Sequence, residues 1–233
     1  MTSKIVTLVI LVVCCKVGFA QGPVKQSLKY SHPKSVDVFQ SPIAALSSDT
    51  LILPFFEDFA YEGSAPDNRL WVDNDVYVNN TFSENQITRG MATFDHLDQF
   101  GTPYDFLNKF ASSGADTLTS QRINMEKDTF GRSFAISDSI VFSFFIETGG
   151  LGDKPESGDS FKLEFLDNTN SWSTVWAVEG NVAPVFKEYF VVVKDAKYLF
   201  NTFQFRFVNY VKNSGNMNHF HLYYIRLNEG RLF

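Results

Sequence analysis

The sequence predicts an all-β fold, a sandwich or barrel of many short antiparallel strands. In FQFRFVNYV (203–211), Phe203, Phe205 and Phe207 fall on one side of an extended chain. This repeat of two residues is typical of a strand with one buried face. Clusters of Gly, Pro, Asn and Asp separate such segments, and helical periodicity is nearly absent, which favours an all-β architecture.

The strand candidates recur at short intervals from residue 72 to the end of the chain. They are Val72–Asn79, Met91–Phe94, Thr117–Ile123, Ser139–Glu147, Ser160–Leu166, Ser173–Val178, Tyr189–Lys194 and the two terminal segments 203–211 and 219–227. A single short helix is predicted, from Pro103 to Phe110.

Two segments indicate how the strands are covered. IVFSFFIET (140–148) is apolar almost throughout, which predicts a central strand covered on both faces. FKLEF (161–165) alternates, so one of its faces is expected to meet solvent or a second layer. No internal repeat is present, and a single domain is predicted.

Residues 1–20 are predicted to be a signal peptide. An apolar run from Ile5 to Cys15 has the length of a signal-peptide core, and Gly18-Phe19-Ala20 supplies small residues for cleavage after Ala20. A lipoprotein acylated on one of the two cysteines is the alternative.

The remaining chain divides into two parts. Residues 21–49 are polar and without a sustained period, and they are predicted to be a tether. Residues 50–233 are predicted to form the β-sandwich domain, beginning near the apolar run that Pro54 ends.

Composition argues against several function classes. Both cysteines lie in the predicted signal peptide, so thiol catalysis, disulfides and cysteine metal sites are not expected in the mature chain. The formal net charge is −6 and no basic run is present, so nucleic acid is not an expected partner. After the signal peptide, no apolar segment approaches the roughly 20 residues of a membrane span. Phenylalanine occurs 25 times and tyrosine 9 times, which predicts an aromatic core.

Six segments of the chain, taken in order, resemble a known family. They are LPFFEDFAYEGSAPDNRLWVDNDVYVNNTF (53–82), GMATFDHLDQFGTPYDF (90–106), ADTLTSQRINM (115–125), SFFIETGGLGDKPESGDSFKLEF (143–165), FQFRFVNY (203–210) and NHFHLYYIRLNEGR (218–231). Together they are similar to the N-terminal β-sandwich modules of large secreted Bacteroidetes proteins associated with gliding motility and type IX secretion. The resemblance implies a jelly-roll sandwich akin to MAM or concanavalin-A-like domains. It implies no particular reaction.

Two features depart from the family pattern. Relatives continue beyond the last strand, whereas this chain ends at Phe233, so either a short stand-alone member or a truncated copy is expected. The last strand of relatives reads Trp-His-x-Asp, where this chain has Phe220, His221 and Tyr223. That Asp would suit a structural cation, and Tyr does not.

Acidic residues near the start of the domain are the candidate calcium ligands. They are Glu57, Asp58, Asp67, Asp73 and Asp75. Ca²⁺ takes six to eight oxygen ligands, which such a cluster would supply in part. The alternative is that these residues form solvated turns. Structural calcium is the one cofactor that the sequence suggests.

Zinc and hydrolytic chemistry are not predicted. His219 and His221 share a face of a strand, but a zinc site needs a third and usually a fourth ligand. One packed and one exposed histidine is the expected arrangement. The acids of 57–62 lack the spacing of a glycosidase pair, and no Gly-x-Ser-x-Gly motif is present. No catalytic residues are therefore predicted.

Four aromatic residues are candidates for stacking on sugars. They are Trp71, Trp172, Trp176 and Tyr189. Because Trp172 and Trp176 share strand parity, at least one of them is expected to point inward. The alternative is that these rings belong to the core.

Three Asp-Ser/Thr-aliphatic tripeptides resemble the O-glycosylation sequons of exported Bacteroidetes proteins. Their hydroxyl residues are Thr50, Thr117 and Ser139.

The sequence as a whole predicts an exported, non-catalytic structural or interaction module. Its location would be the periplasm, the outer membrane surface or the extracellular space, and its partners would be envelope or surface proteins. The alternative is a carbohydrate-binding module that stacks sugars on exposed aromatics.

Overall fold

A computed structural model describes residues 50–84, 86–108, 110–181 and 186–231 as two antiparallel β-sheets packed face to face. The predicted all-β antiparallel sandwich is confirmed. The predicted signal peptide and nearly all of the predicted tether lie outside the described residues. The ten strands are β1 (Phe55–Glu57), β2 (Tyr77–Asn79), β3 (Met91–Phe94), β4 (Ser112–Thr119), β5 (Val141–Thr148), β6 (Ser160–Leu166), β7 (Trp172–Glu179), β8 (Lys187–Val192), β9 (Phe205–Lys212) and β10 (Phe220–Asn228).

Sheet A contains six strands in the order β2-β3-β10-β5-β8, with β1 also paired to β10. Strand β10 organises this sheet because three strands pair with it. Its first half pairs with β3 from Phe220 to Leu222, and its second half pairs with β1 from Ile225 to Leu227. Strand β5 pairs with both halves of β10, and the register shifts between Tyr223 and Arg226.

Sheet B contains four strands in the order β4-β9-β6-β7. Its inner face follows the alternation seen in the sequence, since every second residue of β6 and β9 is buried, including Phe161, Phe165 and Phe207, and the residues that alternate with them are more exposed. Register shifts interrupt β4 between Gly114 and Thr117, and interrupt the β6–β7 pair after Leu163.

Phenylalanine rings join the two sheets. Phe142 of β5 lies 4.6 Å from Phe205 of β9 between ring centroids, in an edge-to-face arrangement. Phe144 and Phe207 make a similar contact at 5.0 Å. Such pairs contribute about 0.5–1.5 kcal/mol beyond the area they bury. The predicted aromatic core is therefore the contact layer between the sheets.

Three predicted segments differ most from the structure. The strand predicted over Thr117–Ile123 lies earlier in the chain, as β4, and ends at Thr119, because residues 120 and 123 form only isolated bridges. The strand predicted over Val72–Asn79 is limited to Tyr77–Asn79, because Asp73 instead accepts a hydrogen bond from the Thr119 backbone at 2.8 Å and holds residues 72–76 across the end of β4. The helix predicted over 103–110 is reduced to the 3-10 turn Phe106–Asn108, which Asp105 precedes at a φ of 37°.

No helix among the described residues is long and apolar enough to cross a membrane.

Candidate binding sites

A polar cleft of about 460 Å³ lies at the β2 edge of sheet A. Residues 59–64 after β1, residues 77–81 of β2 and its turn, and residues 89–90 before β3 line it. We call it the edge cleft. Clefts of roughly 300–1,000 Å³ are the usual size of small-molecule sites.

Two close backbone contacts build the floor of the edge cleft. The Val78 N–H donates to the Ser64 carbonyl at 2.9 Å, which attaches the loop to β2. Gly90 lies so close to Phe59 that an added Cβ would be 1.8 Å from the Phe59 carbonyl oxygen. Only glycine fits at residue 90. Because it has no side chain, the loop of residues 59–64 can contact the backbone just before β3.

The polar side chains of the cleft differ in whether they are already hydrogen-bonded. Asn79 donates to Thr93 Oγ1 at 2.7 Å and accepts from two backbone N–H groups of the next turn, so it holds β2 in place. Asn80 and Arg89 are exposed, and their side chains make no hydrogen bond or ion pair with another residue of the described part of the chain. They are available to a ligand.

Two tyrosines give the edge cleft its aromatic surface. The Tyr61 hydroxyl accepts a hydrogen bond from the Asp67 N–H at 3.0 Å, which fixes the ring. Burial raises the pKa of Tyr61, and the Glu57 carboxylate raises it further. Burial and the charge of Asp95 likewise raise the pKa of Tyr77. Both rings therefore stay uncharged at neutral pH and stand among carboxylates.

A second candidate surface covers the outer face of sheet A. Its aromatic rings are all at least partly exposed, and we call them the aromatic face: Phe56, Phe145, Phe186, Phe190 and Tyr224. Phe56 contacts Tyr224 at 4.9 Å between centroids, and Phe145 stacks on Phe186 at 5.0 Å. Phe56 and Phe190 are 43% and 44% exposed, so large apolar side chains meet solvent on this sheet.

A β-bulge places Tyr224 on the aromatic face. Phe220 and Leu222 point into the core, so unbroken alternation would point Tyr224 inward as well. The register instead shifts between Tyr223 and Arg226, and Tyr224 takes a φ of 47°. Its ring is turned outward and is 39% exposed.

Arginines accompany these rings. Arg226 lies between Phe56 and Ser143 in the strand register and makes no ion pair with another described residue. Arg231 lies over the Phe190 ring, 5.4 Å from its centroid, and is 3.8 Å from the Glu188 carboxylate. The aromatic face thus carries one cation without a carboxylate partner.

Trp71, predicted as a sugar platform, is a core residue. It is 1% exposed, and its indole N–H donates to Glu57 Oε2 at 2.9 Å. Its ring also meets Phe55 and Phe205 edge to face. No face of Trp71 is free to stack on a ligand, which corrects that prediction.

Trp172 and Trp176 lie on opposite faces of sheet B. The register shift pairs Trp176 with Leu163 on the inner face, while Thr174 pairs with Glu164 on the outer face. Trp176 consequently packs on Phe144 at 4.9 Å. Trp172 faces outward and is half-buried, because the Arg206 guanidinium lies 4.3 Å from its ring centroid.

Tyr189, the remaining candidate ring, is half-buried. It stacks on Phe144 at 5.9 Å and contacts Trp176 at 4.6 Å. It closes the edge of the core between β8 and β7.

The candidate calcium ligands have separate partners. Glu57 is buried and accepts from Trp71 and from the Phe59 N–H, Asp58 accepts from the Ala60 N–H, and Asp73 accepts from the β4 backbone. Within the described residues no three His, Cys, Asp or Glu side chains form a group that would hold a metal ion. Calcium binding by Glu57, Asp58, Asp73 and Asp75 stays a prediction.

Both histidines of the last strand region are fully buried, which corrects the expectation that one is exposed. His221 Nε2 donates to the Gly149 carbonyl at 3.0 Å, so its Nδ1 accepts from the Thr93 hydroxyl at 2.9 Å. His219 Nδ1 accepts from the Asp153 N–H at 3.1 Å. Each ring anchors the turn that follows β5. Burial lowers the pKa of His221.

The predicted modification sites are accessible to different degrees. Thr117 points outward from sheet B, opposite Val208, and is half-buried. Thr50 and Ser139 are also half-buried. O-glycosylation of these residues stays a prediction.

Sequence reasoning missed both candidate surfaces. The edge cleft combines three segments that only strand pairing brings together, and no motif marks it. The sequence did contain a hint of the aromatic face. Phe145 and Phe190 occupy outward positions of predicted strands, and Phe56 lies just after the apolar run at the start of the domain.

Comparison with known proteins finds similar solved structures but no matching family. No protein-family model matches this chain, and no curated protein matches its sequence. Among solved structures, the Caldicellulosiruptor saccharolyticus module CBM27-1, solved with mannohexaose, is 14% identical with a TM-score of 0.43, over 75% of this chain and 96% of that one. The K3 cleaved adhesin domain of Lys-gingipain from Porphyromonas gingivalis is 10% identical with a TM-score of 0.39. The match covers 76% of this chain and 98% of that domain.

Larger enzymes match over part of their length. The chain spans 27% of the GH51 α-L-arabinofuranosidase MgGH51, at 9% identity and a TM-score of 0.41 over 77% of this chain. All three TM-scores lie below 0.5. What this protein binds must therefore be inferred from its own side chains.

Proposed function

We propose that this chain is a non-catalytic interaction module of the bacterial cell envelope that binds a protein partner through the aromatic face. The observation that carries the proposal is the group of partly exposed rings on the outer face of sheet A. Aromatic residues and arginine are enriched where protein interfaces bury their core. Five such rings on one sheet surface exceed what a solvated face requires.

The charges on this face specify the partner. Arg226 lies among the rings and lacks a carboxylate from the described part of its own chain. An arginine covered by an interface needs a hydrogen-bonding anion, because burying an unpaired charge is costly. The partner is accordingly a protein segment that presents a carboxylate beside an apolar side chain.

Export to the envelope is supported by the sequence. The apolar run Ile5–Cys15 and the small residues before Gln21 have the pattern of a signal peptide. The resemblance of residues 53–231 to secreted Bacteroidetes modules supports a place in a surface assembly, linked to type IX secretion or gliding.

Site-specific photo-crosslinking in producing cells tests this proposal. A photoreactive benzoylphenylalanine replaces Phe190 or, as the matched control on sheet B, exposed Thr174. We expect a discrete cross-linked protein from position 190 and none from position 174. Phe56→Ser in the same chain should reduce the adduct. The same label at Tyr224 gives a second test of the aromatic face. Equal adducts from positions 190 and 174 would overturn the proposal, and so would the absence of an adduct from both position 190 and position 224.

A second candidate function is carbohydrate binding, and the edge cleft favours it. Tyrosine rings, an exposed amide and an exposed guanidinium line this cleft, and that combination suits sugar rings and hydroxyls. Trp172 is the other ring that remains accessible, on the opposite sheet.

A further inference from the structure

We infer that the edge cleft is an oligosaccharide site and that its ligand is a neutral sugar chain. The inference rests on the second candidate function, for which it names the site and the ligand class.

The first step concerns hydrogen bonds that the protein leaves unmade. Asn80, Arg89 and Glu62 are exposed at the cleft, and their side chains have no hydrogen-bond or ion-pair partner in the described part of the chain. An amide offers both donors and an acceptor, a guanidinium offers donors, and a carboxylate offers acceptors. Sugar hydroxyls both donate and accept, so the three groups together suit a polyhydroxylated ligand.

The second step concerns the rings. Tyr61 and Tyr77 line the same cleft and are half-buried, so each is held by the protein and still presents surface to solvent. Tyr77 also meets Phe82 edge to face at 6.2 Å, which restricts its orientation. A fixed aromatic ring with an adjacent polar group is the arrangement that packs on the apolar face of a sugar ring.

The third step concerns rigidity. The floor consists of main chain, through the Val78–Ser64 hydrogen bond and the contact between Gly90 and the Phe59 carbonyl. The Asn79 side chain fixes the turn that carries Asn80. A site whose frame is already ordered loses less conformational entropy on binding.

The fourth step concerns charge. Carboxylates surround the tyrosines, since the charges of Glu57, Asp58 and Asp67 act on Tyr61 and that of Asp95 acts on Tyr77. Glu62 adds another at the rim, while Arg89 is the one arginine or lysine of the lining. Arg69 pairs with Asp67 at 2.6 Å, so these five carboxylates stand against two arginines, Arg69 and Arg89. Negative charge still predominates, so an anionic polysaccharide would be repelled and a neutral one would not.

Affinity electrophoresis tests the site and the ligand class together. The full mature chain is run in native gels that contain β-glucan, xyloglucan, arabinogalactan or starch, and in gels that contain alginate or polygalacturonate. We expect retardation in at least one neutral gel and none in the anionic gels. Tyr77→Ala should weaken the apparent affinity about tenfold.

Exposed substitutions keep the test independent of folding. The pair Asn80→Ala and Arg89→Ala changes side chains without partners in the described structure, and should reduce retardation as Tyr77→Ala does. Trp172→Ala on the other sheet is the matched control and should leave retardation unchanged.

The outcomes separate the site from the function. If retardation survives the cleft substitutions and disappears in Trp172→Ala, carbohydrate binding stands and the edge cleft is the wrong site. Retardation confined to alginate or polygalacturonate would overturn the neutral ligand class. Unretarded migration in every gel would overturn both the inference and the carbohydrate function, and would leave the protein-partner proposal unaffected.

Discussion

The Trp71 indole N–H donates to Glu57 Oε2 at 2.9 Å in the interior of the sandwich. The other oxygen of Glu57 accepts from the Phe59 N–H at 2.6 Å. Burial raises the pKa of Glu57, and these two hydrogen bonds oppose that rise. One buried carboxylate thus attaches both the first long loop and the end of β1 to the core.

Glu57→Gln should destabilise the fold, because an amide group presents only one acceptor oxygen to two buried N–H donors. The loss is expected to be about 1–3 kcal/mol. Urea unfolding followed by tryptophan fluorescence measures it, with Asp58→Asn at the half-buried neighbouring position as control. Equal midpoints for Glu57→Gln and the wild type would show that this carboxylate is not needed for stability.

Phe207→Ala should lower the free energy of unfolding by about 3–5 kcal/mol. Phe207 is fully buried, and its ring contacts Phe144 of sheet A and Phe161 of its own sheet. Truncation of this ring therefore leaves a cavity. Phe190→Ala, at an exposed ring, is the control and should cost less than about 1 kcal/mol. Comparable losses for the two variants would place Phe190 in the core and would contradict its assignment to an exposed surface.

Gly152→Ala should be strongly destabilising for steric reasons. A Cβ at residue 152 would lie 1.7 Å from His219 Nδ1, which already accepts the Asp153 N–H. Gly114→Ala is the matched control, since the nearest atom to its Cβ is 3.7 Å away. Thermal denaturation should give a much lower midpoint for Gly152→Ala than for Gly114→Ala. Adding His219→Ala to Gly152→Ala should recover part of the difference, and no recovery would contradict the steric explanation.

The contribution of His221 to stability should fall as pH decreases below about 6.5. Burial lowers the pKa of His221, which faces Thr93, the Gly149 carbonyl and the charge of Glu147. Below the pKa of His221 in the unfolded chain, the unfolded state binds a proton that folded His221 does not bind. Protonation therefore stabilises the unfolded state relative to the folded one. The loss continues until pH reaches the folded pKa, with a limit of about 1.4 kcal/mol per pH unit for one group.

The His221→Asn variant provides the comparison for this pH dependence. It removes the titrating ring, so its unfolding free energy should vary less between pH 7 and pH 5 than that of the wild type. His96, whose pKa burial also lowers, contributes a second slope that the variant retains. Identical slopes for variant and wild type would show that His221 does not titrate differently on folding.

The alternation of side chains made much of the sandwich predictable. Phe205 and Phe207 point into the core and Arg206 points out, as the period of two requires. The apolar segment 140–148 contains β5, in which every residue except the half-buried Phe145 is buried, and FKLEF lies in the half-exposed β6. Predictions failed where a local polar contact replaced strand pairing, as Asp73 does by binding the Thr119 backbone.

The sequence by itself determined most of the strand segments and that their phenylalanines meet between two layers, because alternation and aromatic content act locally along the chain. Only the tertiary structure decided which surfaces remain for binding. Register shifts turn Tyr224 outward and Trp176 inward, against their parity in sequence. Strand pairing brings Tyr61, Tyr77 and Arg89 to one cleft. Bulges and pairings depend on partners distant in sequence, so no local pattern specifies them.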